Sequence, residues 1–92
     1  MERGYNEVKA EIQKAENLFY AKEYDESYSI LYNIAYFLLS ERQTAHLSIE
    51  QRKSLMQETA RKIGMFTFCE DEALWEKSCE LSSFLYSQLN KL

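Results

Sequence analysis

Proline is absent from this 92-residue chain, and glycine occurs only twice, at Gly4 and Gly64. Sandwiches, barrels and loop-rich folds draw on both residues for their turns. Their scarcity argues against those classes and for long helices joined by short polar connections. Cysteine is equally sparse. Cys69 and Cys79 are too few for a small disulfide scaffold. They also lack the paired CxxC or HxxxH spacing of a structural zinc site. The simplest expectation is two small apolar core residues, with no metal. No long hydrophobic run exists: the longest, Ile34 to Leu39, has six residues, against about 20 for a membrane-spanning helix. The opening MERGYNEVKAEIQK carries charges throughout and no apolar core of a signal peptide. The expectation is a soluble, cytoplasmic protein with no membrane partner. Positive charge is also in short supply. The net charge is −4, which weighs against general nucleic-acid binding, since that draws on a positive surface.

What is present suffices for a packed core. Hydrophobic residues make up 46% of the chain and aromatics 14%, which places residues 1–92 as one small domain rather than a disordered tail. Periodicity predicts four helices. Over about residues 4–22, Tyr5, Val8, Ile12, Ala15 and Phe19 recur at helical steps, with charges on the other side. A break follows at Lys22-Glu23-Tyr24-Asp25, where Asp25 is the expected N-cap of a second helix running to about Ser40. Residues 41–47 connect to Ser48-Ile49-Glu50-Gln51, which fits a capping box. The third helix turns Leu55, Met56, Ala60, Ile63 and Phe66 inward, and Gly64 either ends it or lies within it. Asp71 is the expected N-cap of the fourth, which carries Leu74, Ser78, Leu81, Leu85, Gln88 and Leu92 at helical spacing. The fold class is therefore all-α: two antiparallel hairpins, closed as a four-helix bundle or stacked in an open array.

Five tyrosines stand four apart: Tyr20, Tyr24, Tyr28, Tyr32 and Tyr36. Each step of four advances only about 40° around a helix, so they form a slowly turning stripe. On a helical wheel of the second helix, apolar residues cover roughly twice the arc of about 100° that an ordinary core-facing stripe needs. Tyr24 and Tyr28 fall inside that arc. Tyr32 and Tyr36 fall at its edge and beyond, so the ladder leaves the core as it climbs. Tyrosine supplies rigid contact area plus a hydroxyl and is enriched at binding hot spots. Tyr32 and Tyr36, with Tyr28 beneath them, are the candidate partner-binding residues; the competing reading is plain core packing. Phe84 and Tyr86 could supply a second aromatic surface.

Catalytic signals are thin. The one histidine, His46, follows Arg42 by four residues. Such a pair could act on an RNA phosphate, with arginine neutralising charge and histidine moving a proton, although a lone pair in a polar connection reads more simply as ordinary surface. Arg52, Lys53, Arg61 and Lys62 are scattered around the third helix and diluted by Glu50 and Glu58, so they read as a solvated face. There is no phosphate-binding glycine loop and no nucleophile elbow. No catalytic residues and no cofactor are expected, and the chain does not read as an enzyme.

The stretch Ala15-Glu16-Asn17-Leu18-Phe19-Tyr20-Ala21-Lys22-Glu23-Tyr24-Asp25-Glu26-Ser27-Tyr28-Ser29-Ile30-Leu31 resembles the turn and second helix of a tetratricopeptide repeat. There Tyr24-Asp25-Glu26-Ser27 matches the aromatic-acidic start of the second helix, with serine for the usual alanine. Ala15 stands at the small position of the first helix. The resemblance implies a helical hairpin with small residues where the helices cross, and binding of a peptide or helix from a partner protein. It covers about a quarter of the chain, and no second copy follows at a period near 34. The same stretch resembles the HEPN families of small helical domains, whose ribonuclease members carry an arginine followed by a histidine at a wider interval than that of Arg42 and His46. That resemblance implies the alternative, an RNA-processing or toxin–antitoxin component. The leading expectation is a small protein-binding protein, acting as adaptor, chaperone or immunity-type inhibitor through the aromatic edge of the second helix. A homodimer through the same surface is a variant.

Overall fold

Tyr5–Tyr20 forms α1, Tyr24–Leu39 forms α2, Ile49–Gly64 forms α3 and Glu72–Leu89 forms α4, with a short 3₁₀ turn, Met65–Phe68, between the last two. The computed structural model describes residues 3–92; the first two residues of the domain read as 1–92 lie outside them. Among the described residues there is no strand, and the all-α expectation holds.

The helices begin and end where local chemistry satisfies their free backbone groups. At α3, Ser48 Oγ accepts from the Gln51 amide at 3.0 Å, and Gln51 Oε1 accepts from the Ser48 amide at 3.2 Å. This is the reciprocal capping box the sequence predicts. At α4, Asp71 Oδ1 accepts from the amides of Ala73 and Leu74. The start of α2 differs from expectation. The helix begins at Tyr24 with Glu23 at the cap position and no side-chain cap bond, while Asp25 sits inside the first turn beside Glu26. There the two carboxylates favour the positive end of the helix dipole rather than closing it.

The α1–α2 turn is three residues long, Ala21 to Glu23. The Lys22 amide donates to the Phe19 carbonyl and the Glu23 amide to the Leu18 carbonyl, the paired bonds of a Schellman motif. That motif needs a left-handed residue, and Lys22 supplies it at φ 66°. Glycine adopts this conformation without penalty, whereas other L-residues lose roughly 1 kcal/mol or more. Lys22→Gly is therefore expected to raise stability by about 0.5–1 kcal/mol, measured by urea denaturation; an unchanged or lower midpoint would contradict this account of the turn. Gly64, by contrast, has ordinary right-handed dihedrals and lies within the helical path, which runs straight into the 3₁₀ turn.

α1 pairs with α2 and α3 with α4 along their lengths. α3 also packs on both α1 and α2, whereas α2 and α4 meet only sparingly. A closed antiparallel bundle would set the first and last helices side by side; here α4 hangs on α3 and the hairpins stack openly. The extents of 37 × 24 × 16 Å are those of a slab. Val8, Ile12 and Ala15 of α1, Ile34, Ala35 and Leu38 of α2, and Leu55, Met56, Ala60 and Ile63 of α3 are fully buried, with Phe66 and Leu85. α3 is thus the element on which the core converges. Phe66, expected on α3, belongs to the 3₁₀ turn just beyond it.

At the α1–α2 crossing, buried Ser27 donates from Oγ to the Ala15 carbonyl at 2.5 Å. Both residues are fully buried, and their small size lets the backbones approach. Between α3 and α4, Ser82 Oγ donates to the Ala60 carbonyl at 3.0 Å.

Two basic residues expected on a solvated face are instead tertiary ties. Arg52 Nε donates to the Leu38 carbonyl at 2.9 Å, closing the C-terminus of α2, which has no basic residue in its own last turn. Lys62 pairs with Glu16 of α1 at 2.9 Å, each side chain about one-fifth exposed. Both therefore join the second hairpin to the first. Cys69 and Cys79 are free thiols and half-buried rather than fully so; Cys69 packs against the core. Leu92 lies beyond the end of α4 and is exposed rather than packed.

Candidate functional site

The tyrosine ladder divides as its wheel positions predict. Tyr20, at the last position of α1, is 68% exposed. Tyr24 is half-buried against Phe19 and Phe66, with ring centroids at 5.3 and 6.3 Å. Tyr28 is half-buried and meets Phe66 edge-on at 5.7 Å. Phe66 also packs edge-on against Phe19 at 5.1 Å, so one phenylalanine joins the lower ladder to α1. Above it the rings continue outward. Tyr28 and Tyr32 lie 6.1 Å apart, Tyr32 and Tyr36 only 4.6 Å apart. Tyr32 is 41% and Tyr36 55% exposed.

These three candidates line one open groove. Because α2 and α4 are held apart by their separate seams with α3, a channel of about 740 Å³ runs between them. Tyr28, Ser29, Tyr32 and Tyr36 form the α2 wall; Lys77, Glu80, Leu81 and Phe84 form the α4 wall. Tyr28 gives the floor its contact with the core, and Phe84, half exposed, faces the tyrosines from the other side. The hydroxyl of Tyr28 is held above the usual phenol range, first by burial and then by the proximity of Tyr36 and Glu80. Tyr32 is raised chiefly by its hydrogen bond with Tyr36, then by the charge Tyr36 would carry. The hydroxyls of Tyr28 and Tyr32 therefore stay neutral at physiological pH and present donors and acceptors beside apolar ring faces.

The sequence points to α2 and, of its opposite wall, to Phe84 alone. Lys77, Glu80, Leu81 and Phe84 follow steps of 3, 1 and 3, one helical edge. Their charges hide the edge from a search for apolar periodicity. Phe84 and Tyr86, considered together as a second aromatic surface, separate: Phe84 lines the groove, and Tyr86 does not. By helical spacing Tyr86 shares the other edge of α4 with Trp75 and Cys79.

Arg42 and His46 both lie in the exposed connection between α2 and α3. The His46 ring contacts the backbone carbonyl of Arg3 through Nε2 and lies 6.4 Å from the Phe37 ring. The Arg3 guanidinium covers Phe37 at 5.5 Å and reaches Glu11 at 3.4 Å. His46 thus helps seat the start of the chain on the end of α2. Among the described residues, no group of three or more His, Cys, Asp or Glu side chains is placed to hold a metal ion. Among the same residues, no helix is long and apolar enough to cross a membrane. Compared with known proteins, the chain matches no family model, no curated protein and no solved structure.

Proposed function

We propose that this chain is a cytoplasmic, non-enzymatic protein-binding module, and that the groove between α2 and α4 receives a segment of its partner. One observation carries the reading: Tyr28, Tyr32 and Tyr36 stand in register on one wall, Phe84 and Leu81 face them, and the channel between is open to solvent. Aromatic side chains left half in water retain apolar area to bury, and their hydroxyls can satisfy a partner's polar backbone. α2 and α4 run the same way along the slab, as the first and third of three antiparallel steps. Two parallel ridges with a trough between them suit an α-helix whose apolar anchors recur at i, i+3, i+4 and i+7.

The ribonuclease alternative rests on Arg42 and His46 alone, and the contact of the His46 ring with the Arg3 carbonyl gives that side chain a structural role. No observation favours the catalytic reading.

Tyr32→Asp combined with Tyr36→Asp tests the proposal. Both side chains are substantially exposed, so the double variant is expected to keep its helical circular dichroism and melting profile. It is also expected to lose its partner, with affinity falling by about 2 kcal/mol or more, the size of an aromatic hot spot. A folded double variant that retains every partner of the parent protein would refute the groove as the docking site.

A further inference from the structure

We infer that the occupant of the α2–α4 groove is a cationic amphipathic helix, one that places apolar anchors between Tyr28, Tyr32 and Phe84 and lysine or arginine against the α4 rim. The inference rests on the docking reading of the same groove and names the chemistry of the partner.

The two helices that form the walls are acidic. α2 carries Asp25 and Glu26 and no basic residue, and α4 carries Glu72, Glu76 and Glu80 against Lys77 alone; of these charges, Glu80 and Lys77 line the groove. Asp25, Glu26 and Glu72 lie in first turns, where they already offset the positive ends of the helix dipoles. Glu76 and Glu80 have no such task. Among the described residues neither is held in an ion pair. Glu72, Glu76 and Glu80 succeed one another at a spacing of four, in a row that Phe84 continues. Like charges at that spacing repel, and Lys77, the one cation of α4, is in no ion pair with Glu76 or Glu80 among the described residues. A cationic partner relieves that repulsion on binding. Its lysine or arginine would reach Glu76 and Glu80 from the rim and lie over the ring of Tyr36, whose face attracts cations.

The same charges argue against a second copy seated face to face. A two-fold interface would set this acidic surface against itself, and juxtaposed like charges oppose association. Nor does α3 offer a basic face to a neighbouring copy. Arg52 and Lys62 are committed inside the fold, and Lys53 and Arg61 are interspersed with Glu50 and Glu58.

The experiment uses two synthetic amphipathic peptides of about 18 residues, long enough to follow α2 end to end. One is built from leucine and lysine, the other from leucine and glutamate on the same pattern. Each is titrated into the isotope-labelled full chain while backbone and aromatic resonances are followed. The leucine–lysine peptide is expected to shift signals of Tyr28, Tyr32, Tyr36 and Phe84. Its affinity should exceed that of the glutamate peptide by at least about tenfold and should fall as salt rises from about 0.1 to about 1 M, which shortens the screening length from about 10 to about 3 Å. Glu76→Lys with Glu80→Lys, both exposed positions, is expected to weaken it by about tenfold while leaving the melting profile in place. Equal binding of both peptides in the groove, or an unchanged affinity in the Glu76/Glu80 variant, would overturn the cationic class and leave the groove standing. Shifts scattered away from the groove, or full binding by a Tyr32→Ala/Tyr36→Ala protein, which removes the rings without adding charge, would overturn the inference through the site itself. A free protein whose mass rises with concentration as the groove signals shift would make the occupant a second copy and overturn it too.

Discussion

Phe66→Ala is expected to remove about 3–5 kcal/mol of stability, the range for truncating a fully buried aromatic. Small domains hold about 5–15 kcal/mol in all, so the variant should sit near the edge of folding. The size of the effect follows from what Phe66 touches. It is fully buried, and three rings from two other helices converge on it: Phe19 from α1 and Tyr24 and Tyr28 from α2. Truncation would leave a void that those rings cannot fill together, since Tyr24 and Tyr28 are fixed to one helix and Phe19 to another. It would also forfeit the edge-to-face contacts, worth about 0.5–1.5 kcal/mol per pair beyond buried area. Thermal unfolding should fall by about 15 °C or more. Phe66→Leu, which restores most of the volume, should lose less than half as much. A loss below about 1 kcal/mol for Phe66→Ala would mean that the core does not depend on this junction.

Ser27→Leu is expected to be nearly as costly, for the opposite reason. At the α1–α2 crossing there is no space to fill: Ser27 and Ala15 are fully buried, and the hydroxyl lies 2.5 Å from the Ala15 carbonyl oxygen. Three additional carbons must push the helices apart or enter a strained rotamer, an overpacking cost of about 1–3 kcal/mol, with about 1 kcal/mol more from the lost hydrogen bond. Ser27→Ala separates the two contributions. The Ala15 carbonyl is in a helix interior and has its own helical donor, so losing the hydroxyl alone should change stability by about 1 kcal/mol or less. Denaturation midpoints of the two variants decide the matter: a leucine variant as stable as the alanine variant would mean that the crossing is not tightly packed.

The elements themselves were legible in the sequence, because their signals are local. Val8, Ile12 and Ala15 keep the helical period, and Ser48 with Gln51 and Asp71 announce helix starts within four residues of the amides they serve. The second helix starts before the position its sequence suggests, because Asp25 has the right side chain in the wrong place. The short Schellman turn at Lys22 brings the helix in early, and its left-handed residue is a lysine, which carries no sequence signal for that conformation. Arg52 and Lys62 looked like surface charge since nothing in a sequence shows that the acceptors are Leu38 and Glu16, fourteen and forty-six positions away in the chain. For the candidate site the pattern is the same. The drift of Tyr32 and Tyr36 out of the apolar arc follows from one helix alone. The facing wall, Lys77 to Phe84, depends on how α4 is suspended, which is set by small residues along α3 and α4 rather than by anything near the tyrosines.

That suspension has a mechanical corollary. The width of the trough is governed by the seam between α3 and α4, not by direct contact of its two walls. A small roll of the fourth helix about that seam would open or narrow the channel while leaving the three-helix remainder undisturbed. Anchors of different girth, from valine to tryptophan, could then be accommodated at little cost in folding stability, so a receptor of this design would discriminate more by charge along its rim than by the size of what it swallows.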